Sequence, residues 1–384
     1  MLIVVAAHGC GIGGLGPYGN EWIATPNLDR LAADAEVYDR HFSACPDPVV
    51  TRRAWWANLP PGSILIRNAR PERSAPADVS AAFAEVIDAR PDALAPSPVD
   101  ALLRALPAVL DRNPPLVWIE TDRLLPPWTV PQAVFEVYLE ELTGDVASDD
   151  EDEERIEEDE VEGDEAEDDE AEAEPVAEVE EPVTPWANPE TGWFDPTDLA
   201  AWELLHRTYA AVVTAFDADL GRVFDLLRER GLDAAATWAV TGDFGFPLGQ
   251  HGLLGPHRPY LHDEFVHLPL IVRRPGAATA GTRVARFTQP EDVLRLLLGE
   301  AIPDRPSVLT RWAVNGAEEA ALRTERHALL LPLTVPDEDD PRGPMLFEKP
   351  DDRWEVNDVR QADLDRADEL EAELRARLTP GPSS

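Results

Sequence analysis

The tightest constraint in this chain is a run of six apolar residues, Leu2 to Ala7, that ends in the glycine-rich stretch Gly9 to Gly19. So short a run with no polar face reads as a strand buried on both sides, with a loop at its carboxyl end. Leu116 to Glu120 and Leu268 to Arg273 repeat the pattern, and so does Thr237 to Thr241, which runs into Gly242-Asp243-Phe244-Gly245. Ile64 to Ile66 is a further strand candidate. Helical patterns fall between these runs. Thr25 is placed to cap a helix with Pro26 at its first position, and Val99 to Leu110 is amphipathic. From Leu199 to Leu227 apolar residues recur at spacings of three and four, the stripe of one long helix that Gly231 stops. Such alternation predicts an α/β fold with a mostly parallel central sheet covered on both faces. Ligands of such sheets bind at the carboxyl ends of the strands, where Asp243 lies.

The pattern is interrupted once. Between 145 and 181 lie 23 of the 75 acidic residues and a single basic one, Arg155, a net of -22 out of the chain's -42 that leaves -20 for the rest. A segment so charged and so poor in aromatics cannot bury enough apolar surface to offset the entropy of ordering. Residues from about 144 to 185 therefore read as a disordered acidic insert within a domain spanning 1–302, because the α/β pattern resumes beyond it. It is most simply a solvated loop, although a basic partner is conceivable. Residues 303–384 form a smaller α+β unit, with strand candidates Glu319 to Thr324, His327 to Leu333 and Met345 to Phe347 and a closing helix from Leu364 to Leu378.

The remaining negative charge argues against nucleic acid and anionic membrane as partners. Cys10 and Cys45, the only cysteines, are too few for a disulfide framework and lack the paired spacing of a zinc site. Met1 leads straight into the apolar run without a basic segment before it, and no stretch approaches the length of a membrane helix. The expectation is a soluble, cytoplasmic protein.

Three blocks, in order, resemble the sulfatase family of the alkaline phosphatase superfamily. The first is Ile3-Val4-Val5 with its glycine loop, then Pro17-Tyr18-Gly19-Asn20 and Thr25-Pro26-Asn27-Leu28-Asp29-Arg30-Leu31-Ala32. The second, Thr51-Arg52-Arg53-Ala54, is similar to the tail of the family's nucleophile motif. The third comprises Thr241 to Gly245, Leu248-Gly249-Gln250-His251-Gly252 and Pro269 to Gly276, and Asp352 to Val359 resembles the family's closing segment. The resemblance implies an alkaline-phosphatase-like α/β/α sandwich with a small C-terminal α+β subdomain. It also implies calcium held by four protein ligands beside a cysteine matured to formylglycine, acting as a sulfuric ester hydrolase.

On this chain the implied ligand positions fall on Ala6, Ala7, Asp243 and Phe244, and the implied nucleophile on Pro48, four residues before Arg52. Two methyl groups, a phenyl ring and one carboxylate make no calcium site, and proline carries nothing that can attack an ester. Cys45 lies outside the register, and the single lysine, Lys349, is in the terminal unit. The expectation is a degenerate member, a pseudoenzyme with a binding or regulatory role and no cofactor, in which Arg52 and Asp243 are vestigial. A salt bridge between those two would fill the vacated site, with Asp243 also bonding the loop amides around Gly242 and Gly245. Trp55 and Trp56 would pack into the remaining space. The alternative is an active hydrolase of sulfate or phosphate esters with a remodelled metal site built from His8, Asp243, His251 and His257.

Overall fold

The computed structural model describes residues 1–90, 97–144, 182–334 and 343–379. Fourteen strands lie among them: β1 (Leu2–Ala7), β2 (Glu36–His41), β3 (Ile64–Asn68), β4 (Glu85–Asp88), β5 (Leu116–Thr121), β6 (Gly192–Trp193), β7 (Thr237–Gly242), β8 (Leu253–Leu254), β9 (Leu270–Arg273), β10 (Thr282–Thr288), β11 (Ser307–Val314), β12 (Ala317–Thr324), β13 (His327–Thr334) and β14 (Met345–Glu348). The α-helices are α1 (Pro26–Ala33), α2 (Pro48–Trp55), α3 (Ala77–Ser80), α4 (Asp100–Leu110), α5 (Gln132–Gly144), α6 (Leu199–Glu229), α7 (Leu232–Ala235), α8 (Asp263–Val266), α9 (Pro290–Leu298) and α10 (Leu364–Leu378). Most of the acidic insert, residues 145–181, lies outside the described residues.

Eight strands form the central sheet in the order β10-β2-β9-β7-β1-β5-β3-β4. All neighbours are parallel except β9, which runs antiparallel to both β7 and β2. Strand β1 is central, and its alternation divides the core. Ile3, Val5 and Ala7 pack with Leu102 and Leu106 of α4 and the buried stripe of α6, while Val4 and Ala6 pack on the other face with Trp55 of α2 and Val293 of α9. Because every residue of this strand meets a packed layer, the continuous apolar run is what the position demands.

The C-terminal strands form a separate antiparallel sheet, β11-β12-β13-β14. Its Leu322, Leu329, Leu331 and Leu346 pack against Ala367, Leu370 and Leu374 of α10. Its other face, through Val308, Ala321, Leu330 and Phe347, joins the main core. The predicted elements are present, with three corrections. Strands β2, β4, β6, β8, β10 and β11 and helices α2, α3, α5, α7, α8 and α9 went unread. Strand β9 begins at Leu270, not Leu268. Thr25 does stand before α1, but its hydroxyl makes no capping bond; it accepts from the Gly16 amide at 3.0 Å instead.

Candidate functional site

The carboxyl ends of β1, β5 and β7 lie side by side. Ala6 is in register with Glu120 and Thr241, and Ala7 with Thr121 and Gly242. The loops that follow approach closely: a Cβ on Gly242 would stand 2.3 Å from the Cys10 carbonyl oxygen, so only glycine fits there. Asp243 is thereby held under the first loop, fully buried, and its Oδ1 accepts the amides of Gly9 at 3.2 Å and Phe244 at 2.9 Å. The Phe244 amide belongs to the loop between Gly242 and Gly245 that the sequence suggested, while the Gly9 amide comes from the loop after β1.

Four buried side chains meet here. His8 Nδ1 lies 2.7 Å from Asp243 Oδ2, Arg52 Nε donates to Glu120 Oε1 at 2.5 Å, and Arg52 Nη2 donates to the Arg73 carbonyl oxygen at 2.6 Å. Arg52 Nη2 is also 2.8 Å from His8 Nε2, which in turn is 3.5 Å from Glu120 Oε1. All four residues are at most 2% exposed, so their pairing is shielded from bulk solvent. The expected Arg52–Asp243 salt bridge is therefore corrected. Arg52 pairs with Glu120, His8 pairs with Asp243, and the histidine links the two pairs.

The electrostatics follow from burial. Burial is the largest influence on His8 and lowers its pKa, as does Arg52, but the charge of Asp243 together with hydrogen bonds to Asp243 and Glu120 outweighs both and raises the pKa to about 9. Burial pushes Glu120 up, yet the hydrogen bond from His8 and the charge of Arg52 hold it below its ordinary value. A bare Nε2 would accept from Arg52, whereas a protonated ring turns Nε2–H towards Glu120. We take the protonated ring, because two cations then balance two carboxylates in a region shielded from bulk solvent.

Pro48 stands at the first position of α2, behind Asp47, whose Oδ1 accepts the amides of Val49 at 2.8 Å and Val50 at 3.0 Å. Proline is at home there because the first helical amide has no partner within the helix. Cys45 is half-buried, with burial raising its thiol pKa. Trp55 and Trp56 are buried against Trp118, on the face of the sheet that carries Ala6. Calcium does not fit this set. Ala6 and Ala7 supply only methyl groups, Phe244 packs edge-on to Phe265, and Asp243 is already bonded to His8 and two amides.

Of the alternative set, His8 and Asp243 meet, but His251 and His257 are engaged elsewhere. His251 stacks on His262 with ring centroids 3.8 Å apart, and its Nε2 lies 3.1 Å from the Trp354 carbonyl oxygen. The His257 amide bonds the Gly255 carbonyl, and its own carbonyl accepts from Asn315. Among the described residues no group of three or more His, Cys, Asp or Glu is arranged to hold a metal.

The sequence reading missed Glu120. Its signal was a carboxylate closing an otherwise apolar buried strand, which needs a buried cation to answer it. Also unread was a second buried cluster between the two sheets. There Arg323 reaches Asp263 at 2.7 Å and Glu355 at 3.3 Å, Lys349 reaches the same two at 3.0 and 3.2 Å, and His262 lies 2.9 Å from Glu355.

The α/β fold that carries this site recurs in solved structures. A solved phosphonate monoester hydrolase of Agrobacterium radiobacter superposes with a TM-score of 0.63 at 15% identity, covering 98% of this chain and 95% of that one. A structure solved in complex with its substrate D-glucosamine-2-N,6-O-disulfate gives 0.66 at 14% identity over 98% and 97%. In sequence, residues 148–301 match the Sulfatase family model. An N-acetylglucosamine-6-O-sulfatase of Bacteroides thetaiotaomicron is 32% identical over 111 residues, 28% of this chain and 20% of that protein. A Caenorhabditis elegans homolog of the extracellular sulfatase Sulf-1 is 36% identical over 93 residues, 24% of this chain. The matches span only 13% and 20% of these curated relatives. The chain is thus similar to the sulfatase family in sequence over residues 148–301. No helix of the described residues is long and apolar enough to cross a membrane.

Proposed function

We propose that this protein is a sulfatase-family pseudoenzyme with a binding or regulatory role, and that it neither takes up calcium at the family's site nor turns over sulfate or phosphate esters there. One observation carries the reading: Arg52, Glu120, His8 and Asp243 are bonded to one another and buried at the strand ends where the family's chemistry would occur. An entering anion would have to compete with Glu120 for Arg52, and an entering dication would have to displace His8 from Asp243. Either event leaves a buried charge unanswered, which is more costly than the pair it replaces. The position of the nucleophile is a helix-starting proline with nothing to donate or attack. Two unpaired cysteines, one of them buried, accord with a reducing, cytoplasmic setting.

The test is turnover. Purified protein with aryl sulfate and aryl phosphate substrates, supplied with calcium, magnesium or manganese, should release no product above the buffer rate. Turnover that is lost on replacing Arg52 or Asp243 would overturn the reading.

A further inference from the structure

A cavity of about 340 Å³ lies beside the glycine loop that follows β1, bounded by the first half of α6 and the segment after β7. Its wall is aromatic: Trp22, Trp202, Tyr209, Phe246 and Trp354 line it, and Glu264 is its one charged residue. No arginine or lysine lines it. We propose that this cavity binds an organic cation, the quaternary or alkylated ammonium group of a small molecule, with the ring faces taking up the charge and Glu264 serving as counter-ion.

Three observations support this. The faces of indole and phenol rings carry negative quadrupole charge that attracts cations once water is excluded. The same chemistry is visible at Trp354, where the Arg353 guanidinium lies 4.9 Å from the centre of the ring. Both carboxylate oxygens of Glu264 are buried without a hydrogen-bond partner, a costly state that an entering cation would relieve. Burial, and then the charge of Glu355, push the Glu264 pKa up to about 8, and no basic group offsets them. Glu355 is itself tied to Arg323, Lys349 and His262. Of the other titratable groups on the wall, Tyr209 is held neutral by burial and His206 is lowered by burial to about 4, so at neutral pH neither opposes a cation. His206 stacks on Trp202 at 3.8 Å with its Nε2 3.0 Å from the Leu248 carbonyl oxygen. An anion would find no partner here, whereas the chain's charge of -42 favours the approach of a cation.

The inference goes beyond the pseudoenzyme reading and does not depend on it, since ester turnover would overturn that reading and leave this one standing. Calorimetric titration of the full chain at pH 8.5 with tetramethylammonium, against tert-butanol as its neutral isostere and methyl sulfate as an anion, provides the test. One saturable site for the cation is expected, with tert-butanol at least about tenfold weaker. Trp202→Ala and Glu264→Gln should each weaken the cation about tenfold, and affinity should fall on going to pH 6.5 as Glu264 takes up its proton. Glu264→Gln removes an unpartnered charge and so keeps the test decisive if the tryptophan variant does not fold. Equal binding of tert-butanol, preference for methyl sulfate, no saturable binding of the cation at millimolar concentrations, or unchanged affinity in folded Glu264→Gln would each overturn the proposal.

Discussion

The two buried charge clusters of this molecule use the same residue types to different ends. At the strand ends, Arg52, Glu120, His8 and Asp243 come from separate segments and turn wholly inward, each at most 2% exposed. Between the sheets, Asp263 and Glu355 are shared by Arg323, Lys349 and His262, and the side chains of Asp263 and Lys349 remain 15% and 13% exposed. In the first cluster each carboxylate depends on a small number of bonds, so loss of one partner strands another. In the second, two cations serve the same two carboxylates, and the charge that holds the C-terminal sheet to the α/β domain is duplicated. Perturbed charges at the mouth of a parallel sheet are thus no sign of chemistry by themselves; whether an outside molecule can reach them decides.

The comparison can be broken most sharply at Glu120. Replacing Glu120 by Ala leaves Arg52 buried beside nothing of opposite charge, and equilibrium urea unfolding should show a loss of about 3–5 kcal/mol. The double variant Arg52→Leu with Glu120→Leu should lose less than Glu120→Ala alone, because no charge is then left unpaired. If the single loss is under about 1 kcal/mol, in the range of a surface pair, the cluster is not sealed as described.

Arg323→Ala should cost somewhat less, about 2–4 kcal/mol, because Lys349 still answers Asp263 and Glu355. The loss should be local, with amide exchange accelerating first in β12, β13 and α10. Uniform acceleration across both sheets would contradict the division of roles.

Next in size is a pH effect. The folded chain holds the His8 proton up to about pH 9 against an ordinary value of 6.5. That contribution is fully present below about pH 6.5 and lost as the pH rises to about 9, on the order of 3 kcal/mol across the window. Glu264 acts in the same direction at lower pH, since a carboxyl raised from 4.5 to about 8 makes the fold less stable as it ionises. Urea midpoints should therefore fall from pH 6.5 to 9 in the native chain. The fall above pH 8 should vanish in His8→Gln and persist in Glu264→Gln. The smallest effect is expected for deletion of Asp149 to Glu181, which should move stability by less than about 0.5 kcal/mol, because so charged a segment contributes little burial.

What could be read from the sequence tracks burial. Strands β1, β5 and β7 announce themselves because both faces are covered, and α6 because one face alone is. Strand β2, Glu36–His41, was invisible for the opposite reason: polar residues alternate irregularly where it passes towards the sheet edge beside β10. Helix α2 was masked by two β-branched valines and Pro48, its start being decided by the Asp47 side chain. For the site, the losses at Ala6, Ala7, Pro48 and Phe244 were legible as residue types. Their replacement was not, since pairing Arg52 with Glu120 across 68 positions requires knowing that β5 lies beside β1.

The account's central claim is that the strand-end charges pair with one another, leaving only Glu120 Oε2 without a bond, and offer no ligand set for a dication. Equilibrium dialysis of untagged protein against calcium and against manganese, followed by elemental analysis, measures this directly. Well under one ion per chain should be retained, with no change when Asp243 is replaced by Asn. Retention near one ion per chain that disappears in Asp243→Asn would contradict the claim.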